Sequence, residues 1–290
     1  KKGDSTSAIA HKLVENKLIL NEDSFKWYAR LNNLDKKIVT GRFLLSQNMT
    51  VPEIADEIIN PEQKQVVLTI PEGSTVYDIN AKLVENDLIK GDEFETAVKN
   101  FNKFEKYPFI DKQKAKNLVY PLEGYLFPDT YFVNPSEFSN ESLIQMMLNN
   151  YSSRIKNLDF KSSKRSASDI LIVASMIEKE ANKDIDRPLI SDIIWKRLDA
   201  NWQLGIDATL LYLKNDREID YKDLQEKTPY NTRINTGLPP GPICNPGLAS
   251  IKAALEPEAN EYFYYLTSSE GKMVYAKTLS EHNNNKAKYL

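Results

Sequence analysis

Apolar residues recur along this chain with two periods, and the switches between them mark its elements. From Ser168 to Asn182, Ile170, Val173, Ala174, Ile177 and Ala181 fall on one helical stripe, and Leu171, Ile172 and Met176 are apolar as well. A helix apolar nearly all round belongs in a core. The pattern then breaks abruptly at Glu178-Lys179-Glu180. A second, amphipathic helix is predicted from Asp186 or Arg187, with Pro188 in its first turn and Leu189, Ile190, Ile193, Ile194 and Leu198 facing inward. Strand character shows in "QVVLTIP", where Val67 and Thr69 alternate with Val66, Leu68 and Ile70, and in short runs of "LVYPLEGYLFPDTYFV". "YFYYLT" and "KMVYAK" bracket a turn at 268–271 and read as a hairpin.

The chain also repeats itself. "GDSTSAIAHKLVENKLI" from Gly3 aligns without gaps to "GSTVYDINAKLVENDLI" from Gly73. Each copy opens on Gly and small hydroxyls, a natural helix entry, and in the second copy Ile79, Leu83 and Val84 share one face. A weaker third unit, "GRFLLSQNMTVPEIADEII", has strand character up to Leu45 and then a helix. Thr50 is its N-cap, Pro52 lies in its first turn and Glu53 stands three residues after the cap. Small strand–helix units of this kind resemble LysM-type modules, which bind N-acetylated glycans. The charged, aromatic-interleaved stretch 99–116 reads as a helix followed by a linker.

Composition narrows the chemistry. The 290 residues carry a net charge of −3, which supplies no basic field for a phosphate backbone and argues against nucleic acid as partner. One cysteine excludes an internal disulfide, and two histidines far apart make a His/Cys zinc site or a His-based nucleophile strained. No apolar run reaches a membrane span; the longest, at 170–177, is a core helix. Carboxylates are left as the chemical groups, and no metal or cofactor is implied.

Two carboxylates stand at the end of the core helix. At 100° per residue Glu178 shares a flank with Leu171 and Ser175, while Glu180 diverges to the other side. Partial desolvation there disfavours a charged carboxylate, which is what a general acid requires; a structural ion pair with a neighbour is the competing role. Asp207, in "LGIDATLLY", reads as the N-cap of a short helix or as a further carboxylate of the site. "TGLPPGPICNPG" at 236–247 packs three glycines and four prolines into twelve residues, a stiff loop, with Asn245 read as N-cap and Pro246 as first residue of the next helix.

"ASMIEKEAN", "LGIDATLLY", "YNTRINTGLPPGPICNPG" and "LSEHN", in this order, with "LEGYLFPDTY" at 122–131, resemble the endolytic murein transglycosylase (YceG-like) family. The likeness runs over nearly the whole chain. It implies an α+β fold: LysM-like modules at 1–65 and 66–115, the second with its connector, then a mixed α+β catalytic domain at 116–290. It implies cleavage of peptidoglycan glycan strands between N-acetylmuramic acid and N-acetylglucosamine, without water, leaving 1,6-anhydro ends. Glu178, the first carboxylate of "EKE", would be the single acid and base. Tyr230, Asn231, Thr232, Asp207, Asn245 and Gly241 would face the sugar, with Glu180 and Ser175 structural beside them. The family often has "LQTDPT" where this chain has Gly205 and Ala208, so a substrate role for that Gln is lost here. The likeness further implies a single membrane helix before Lys1, a catalytic part outside the cytoplasmic membrane, and peptidoglycan synthases as partners. Two other readings stand beside it: a non-catalytic glycan-binding scaffold, and a muramidase-type hydrolase using Asp207 or Glu180 as second carboxylate.

Overall fold

The computed structural model describes residues 4–34, 37–38, 43, 45–59, 66–212, 214 and 219–290. They form two compact units, one from residues 1–68, 86–88 and 130–143, the other from 69–85, 89–129 and 144–290. The fold is α+β, with helices predominating over two small two-stranded sheets.

In the first unit, α1 (Thr6–Glu15), α2 (Glu22–Leu31) and α3 (Val51–Ile59) bury Ala10, Leu13, Phe25, Ala29, Ile54 and Ile58 against one another. Each helix start is capped from the sequence. The Ser5 side chain accepts from the Ala8 amide and Asn21 from the Ser24 amide. Before α3, the Thr50 amide donates to Glu53, and the Glu53 amide to Thr50, a reciprocal capping box. The strand read up to Leu45 falls largely outside the described residues. β1 (Val66–Thr69) pairs with β2 (Thr130–Val133). Leu68 and Ile70 are buried and Val67 exposed, as the alternation predicted.

The second unit opens with α4 (Val76–Glu85), the repeat's second helix, with bounds equivalent to those of α1. The likeness extends to the turn: Lys17 and Asp87, at equivalent positions, both take the left-handed conformation, at φ 58° and 53°. That turn directs Ile19 and Ile89 back inward, and both are buried. The stretch read as a linker is folded. It begins at the last residue of α5 (Glu93–Lys99), contains a 3-10 turn at Phe104–Lys106 and α6 (Lys112–Ala115), and buries Phe104, Tyr107 and Ile110. Between α6 and β2 the chain makes turns, not the short strands expected. Pro121 and Pro128 cannot donate to a ladder, and Gly124 takes φ 88°.

α7 (Asn140–Ile155) leads to α8 (Ala167–Glu180), the core helix. Ser166 provides its N-terminal cap: the Ser166 hydroxyl accepts from the Asp169 amide, and the Asp169 carboxylate pairs with Lys114 at 2.8 Å. Residues 170–177 are all buried. α9 (Arg187–Asp199) begins where predicted, and α10 (Ala208–Leu211) is a single turn. α11 (Leu248–Leu255) packs on α8 and α9, and the Trp195 indole donates to the Ala254 carbonyl at 3.0 Å. β3 (Tyr264–Thr267) and β4 (Met273–Ala276) form the expected hairpin, with Tyr264 opposite Ala276 and Thr267 opposite Met273. α12 (Leu279–Tyr289) follows.

Candidate active site

The site is built around the last turn of α8, where the two carboxylates go separate ways. Glu178 is nearly sealed, its side chain 7% exposed, and both of its oxygens are engaged. Oε1 accepts from Arg187 at 3.3 Å and Oε2 from the Gly247 amide at 2.9 Å. Arg187 is itself buried; its Nε donates to Ser250 on α11, and its Nη1 pairs with Asp184. Glu72 reaches the same spot. A methyl group on Gly247 would lie 1.9 Å from Glu72 Oε1, so this glycine leaves room for that carboxylate. Burial raises the Glu72 pKa and the neighbouring Glu178 charge adds to it, with Arg187 opposing.

Glu180 turns to the other side. Its one hydrogen bond among the described residues is to Tyr265 on β3, whose hydroxyl donates to Oε2 at 3.1 Å. Burial raises its pKa, with Asp207 adding, against the Tyr265 hydroxyl and the charges of Arg197 and Arg233. Asp207 stands at the N-terminal position of α10 but makes no cap bond with its side chain; it pairs instead with Arg233 at 2.5 Å, both half-exposed. A dry carboxyl with an open polar rim therefore gathers Glu180, Tyr265, Asp207 and Arg233.

The stiff loop is seated from inside. Ser175 on α8 accepts from the Ile243 amide at 3.0 Å, and its carbonyl accepts from the Cys244 thiol. Residues 241–247 are all buried. A methyl on Gly241 would meet Leu118 at 2.6 Å, and one on Gly124 would meet Pro242 at the same distance. The loop's second half is thus packed rather than lining open space. Asn245 does not cap α11, whose N-cap is Gly247. Its side chain is wholly buried: Nδ2 donates to the Ser74 carbonyl and to Glu123 Oε1, at 2.9 and 2.8 Å, and Oδ1 accepts from the Leu126 amide. Its amide donates to the Ser74 carbonyl and its carbonyl accepts from the Gly73 amide. Burial overrides capping because every group of Asn245 finds a partner inside.

Glu123 is the other half of this joint. It is fully buried, and Oε2 accepts from the Val76 amide at 3.1 Å, at the start of α4. Burial pushes its pKa up to about 8. Neither Glu123 nor Glu72 is marked as a site residue by periodicity or spacing. A single acid flanked by Leu122, Tyr125, Leu126 and Phe127 is the available signal, because a lone charge in an apolar run needs partners.

Tyr230, Asn231 and Thr232 lie in the loop that laces α10 into place. The buried Asn231 amide group donates to the Leu224 and Glu226 carbonyls. Thr232 Oγ1 accepts from the Ile206 amide at 3.0 Å and lies 3.1 Å from Thr209 Oγ1. The Tyr230 ring packs against Tyr212. These side chains hold their own loop, and Arg233 is the member of the stretch that reaches the Glu180 rim. By local pattern alone Arg187 marks a helix start and Arg233 a loop position.

The profile of the YceG-like family matches residues 1–288. An endolytic murein transglycosylase of Bacillus subtilis (strain 168) is 34% identical over 299 residues, covering 99% of this chain and 83% of the relative. An endolytic murein transglycosylase of Streptococcus pneumoniae (serotype 2, strain D39) is 29% identical over 325 residues. This chain spans 57% of that longer protein. The crystal structure of a YceG-like protein from Listeria monocytogenes superposes with a TM-score of 0.71 at 32% identity, covering 98% of this chain and 96% of that one.

Proposed function

The chain belongs to the YceG-like family, and from that premise we propose that it is a lytic transglycosylase that cuts within peptidoglycan glycan strands. The reaction is non-hydrolytic. A neutral carboxyl donates its proton to the glycosidic oxygen as the bond to C1 of N-acetylmuramic acid breaks. The sugar's own C6 hydroxyl attacks C1, and its proton passes to the same group, now a carboxylate. The proton account closes, the product is a 1,6-anhydro end, and no second carboxylate is required, unlike ordinary glycosidases. What the protein must supply instead is a held sugar ring.

The family resemblance nominates Glu178 for the proton transfers. One observation favours Glu180: both Glu178 oxygens are already committed, to Arg187 and to the Gly247 amide, whereas Glu180 accepts one hydrogen bond and is desolvated. A group with a raised pKa and an uncommitted oxygen is the better general acid at neutral pH. Glu178 in this reading locks α8, α9 and the Gly247 turn together. Asp207 and Arg233 form the polar rim against which the glycan lies. The LysM-like repeat copies, a membrane helix before Lys1, placement outside the cytoplasmic membrane and partnership with peptidoglycan synthases belong to the same reading, supported by the family resemblance.

The test compares Glu180→Gln and Glu178→Gln on purified glycan strands, with circular dichroism to verify folding. Glu180→Gln is expected to lose about 10²–10⁴-fold in rate while staying folded. Glu178→Gln removes one of the two carboxylates paired with the buried Arg187, leaving Asp184, and is expected to cost about 1–3 kcal/mol of stability. Full activity in Glu180→Gln with loss confined to a folded Glu178→Gln would return the role to Glu178. Mass spectrometry of the products separates the reading from a hydrolase, since anhydro ends are lighter by one water.

A further inference from the structure

A cleft of about 320 Å³ opens on the Lys179 side of the α8 terminus. Tyr77, Tyr120 and Tyr212 line it, with Thr75, Asp78 and Lys214 at its rim and the buried Ile243 of the stiff loop in its wall. Most of the polar groups there are already engaged. Lys214 pairs with Asp223, the Tyr120 hydroxyl donates to Glu95, and Thr75 and Asp78 cap α4 reciprocally. Lys179 is different. Its charge is felt by the buried Glu123 and Cys244, yet among the described residues its ammonium makes no ion pair or hydrogen bond. It lies against the backbone of Gly73: a methyl on that glycine would sit 3.6 Å from Lys179 Nζ and 3.5 Å from Glu178 Cγ.

A cationic donor without a partner, set among aromatic rings in a concave site, fits an anion with an apolar body. The volume is at the small end of ligand pockets, which run from about 300 to 1,000 Å³, so it suits one substituent rather than a run of sugars. Glycan strands of peptidoglycan are neutral along N-acetylglucosamine and carry carboxylates only on the substituent of muramic acid. Resting on the transglycosylase reading above, the geometry points to a subsite for that substituent, its carboxylate on Lys179 Nζ and its apolar part against Tyr77, Tyr120 and Tyr212. Lys179 stands in the last turn of α8 and Ala208 of the cleft follows Asp207 of the Glu180 rim, so the subsite would adjoin the helix end at which the proton is transferred. The carboxylate has two sources, the lactyl group of a stripped strand or the attached peptide stem.

Calorimetric titration of the full chain with three ligands tests this: a disaccharide bearing a peptide stem, the same disaccharide stripped to its lactyl carboxylate, and an N-acetylglucosamine oligomer with no carboxylate. In Lys179→Met, binding of a carboxylate ligand is expected to weaken about tenfold or more, the effect of one charge-assisted hydrogen bond. Lys179→Arg is expected to restore most of it, and the neutral oligomer should bind both variants as it binds the parent. Dependence on Lys179 for the stemmed ligand alone assigns the carboxylate to the peptide; dependence for the stripped ligand assigns it to the lactyl group. Equal binding of all three ligands by parent and Lys179→Met overturns the subsite, as does an equal loss for the neutral oligomer or no binding of either carboxylate ligand by the parent. Binding does not require turnover. Lys179-dependent binding by a protein that cuts no strand would defeat the transglycosylase reading and leave the subsite standing, and strand cleavage without Lys179 dependence would do the reverse.

Discussion

Glu123 and Asn245 show how much one buried pair can organise. Between them they accept from the Val76 and Leu126 amides and donate to the Ser74 carbonyl, so three segments far apart in sequence meet at two side chains. The pair has a pH signature. A carboxyl raised to about 8 from an ordinary 4.5 is protonated in both folded and unfolded chains below pH 4.5. Between those values the unfolded chain releases the proton and the folded one keeps it, so stability falls as pH rises through the window. Urea unfolding of the parent between pH 5 and 8.5 should show that fall, and Glu123→Gln should flatten it. Gln offers one acceptor where Glu123 uses two oxygens, so at pH 5 the variant is expected to be less stable by about 1–3 kcal/mol. Equal slopes in both proteins would place the pH dependence elsewhere.

The repeated helix and its turn form the clearest local unit. α1 and α4 end alike, and the residue that turns the chain is left-handed in both copies although neither is glycine. Side chains at positive φ carry strain that glycine avoids. Relief of the left-handed strain, less the entropy glycine adds to the unfolded chain, is expected to make Lys17→Gly and Asp87→Gly each stabilising by about 0.5–1 kcal/mol, read as a shift in urea midpoint; a loss would mean these side chains contribute contacts that outweigh the strain. Gly124, packed against the stiff loop, obeys the opposite rule. Gly124 is left-handed and its missing side chain lets Pro242 approach, so Gly124→Ala meets both a strained backbone and a clash. A cost of about 2–4 kcal/mol is expected in the same assay.

Each compact unit carries its own core, and in the larger one the core helix is also the helix that ends in the site. Residues 170–177 are buried on every face, between α9 and α11, so the carboxylates at 178 and 180 project from a part of the unit that opens last. Native-state hydrogen exchange should find the α8 amides among the slowest of their unit; fast exchange there would mean that the site is not rigidly mounted. Rigid mounting suits a reaction that depends on holding a sugar still. With a net charge of −3 the molecule as a whole offers no cationic field, so in the proposed subsite selectivity for a carboxylate would rest on Lys179, which is unpaired among the described residues.

Periodicity alone located α8, α9 and the β3–β4 hairpin, and the Thr50–Glu53 capping box and the repeat were readable because they depend on neighbours within a few residues. Of the short strands expected in 118–133, β2 (Thr130–Val133) forms, while prolines and a left-handed glycine convert the apolar run before it into turns. Asn245 before Pro246 has the local form of a helix cap, but the fold takes its side chain inward to Glu123, where low dielectric rewards full hydrogen bonding more than a cap does. The two glutamates of "EKE" are equivalent in composition and differ by 200° around a helix axis. Only packing makes one a salt-bridged joint and the other a desolvated carboxyl, because partners such as Arg187, Gly247 and Tyr265 come from segments that the linear pattern cannot bring together.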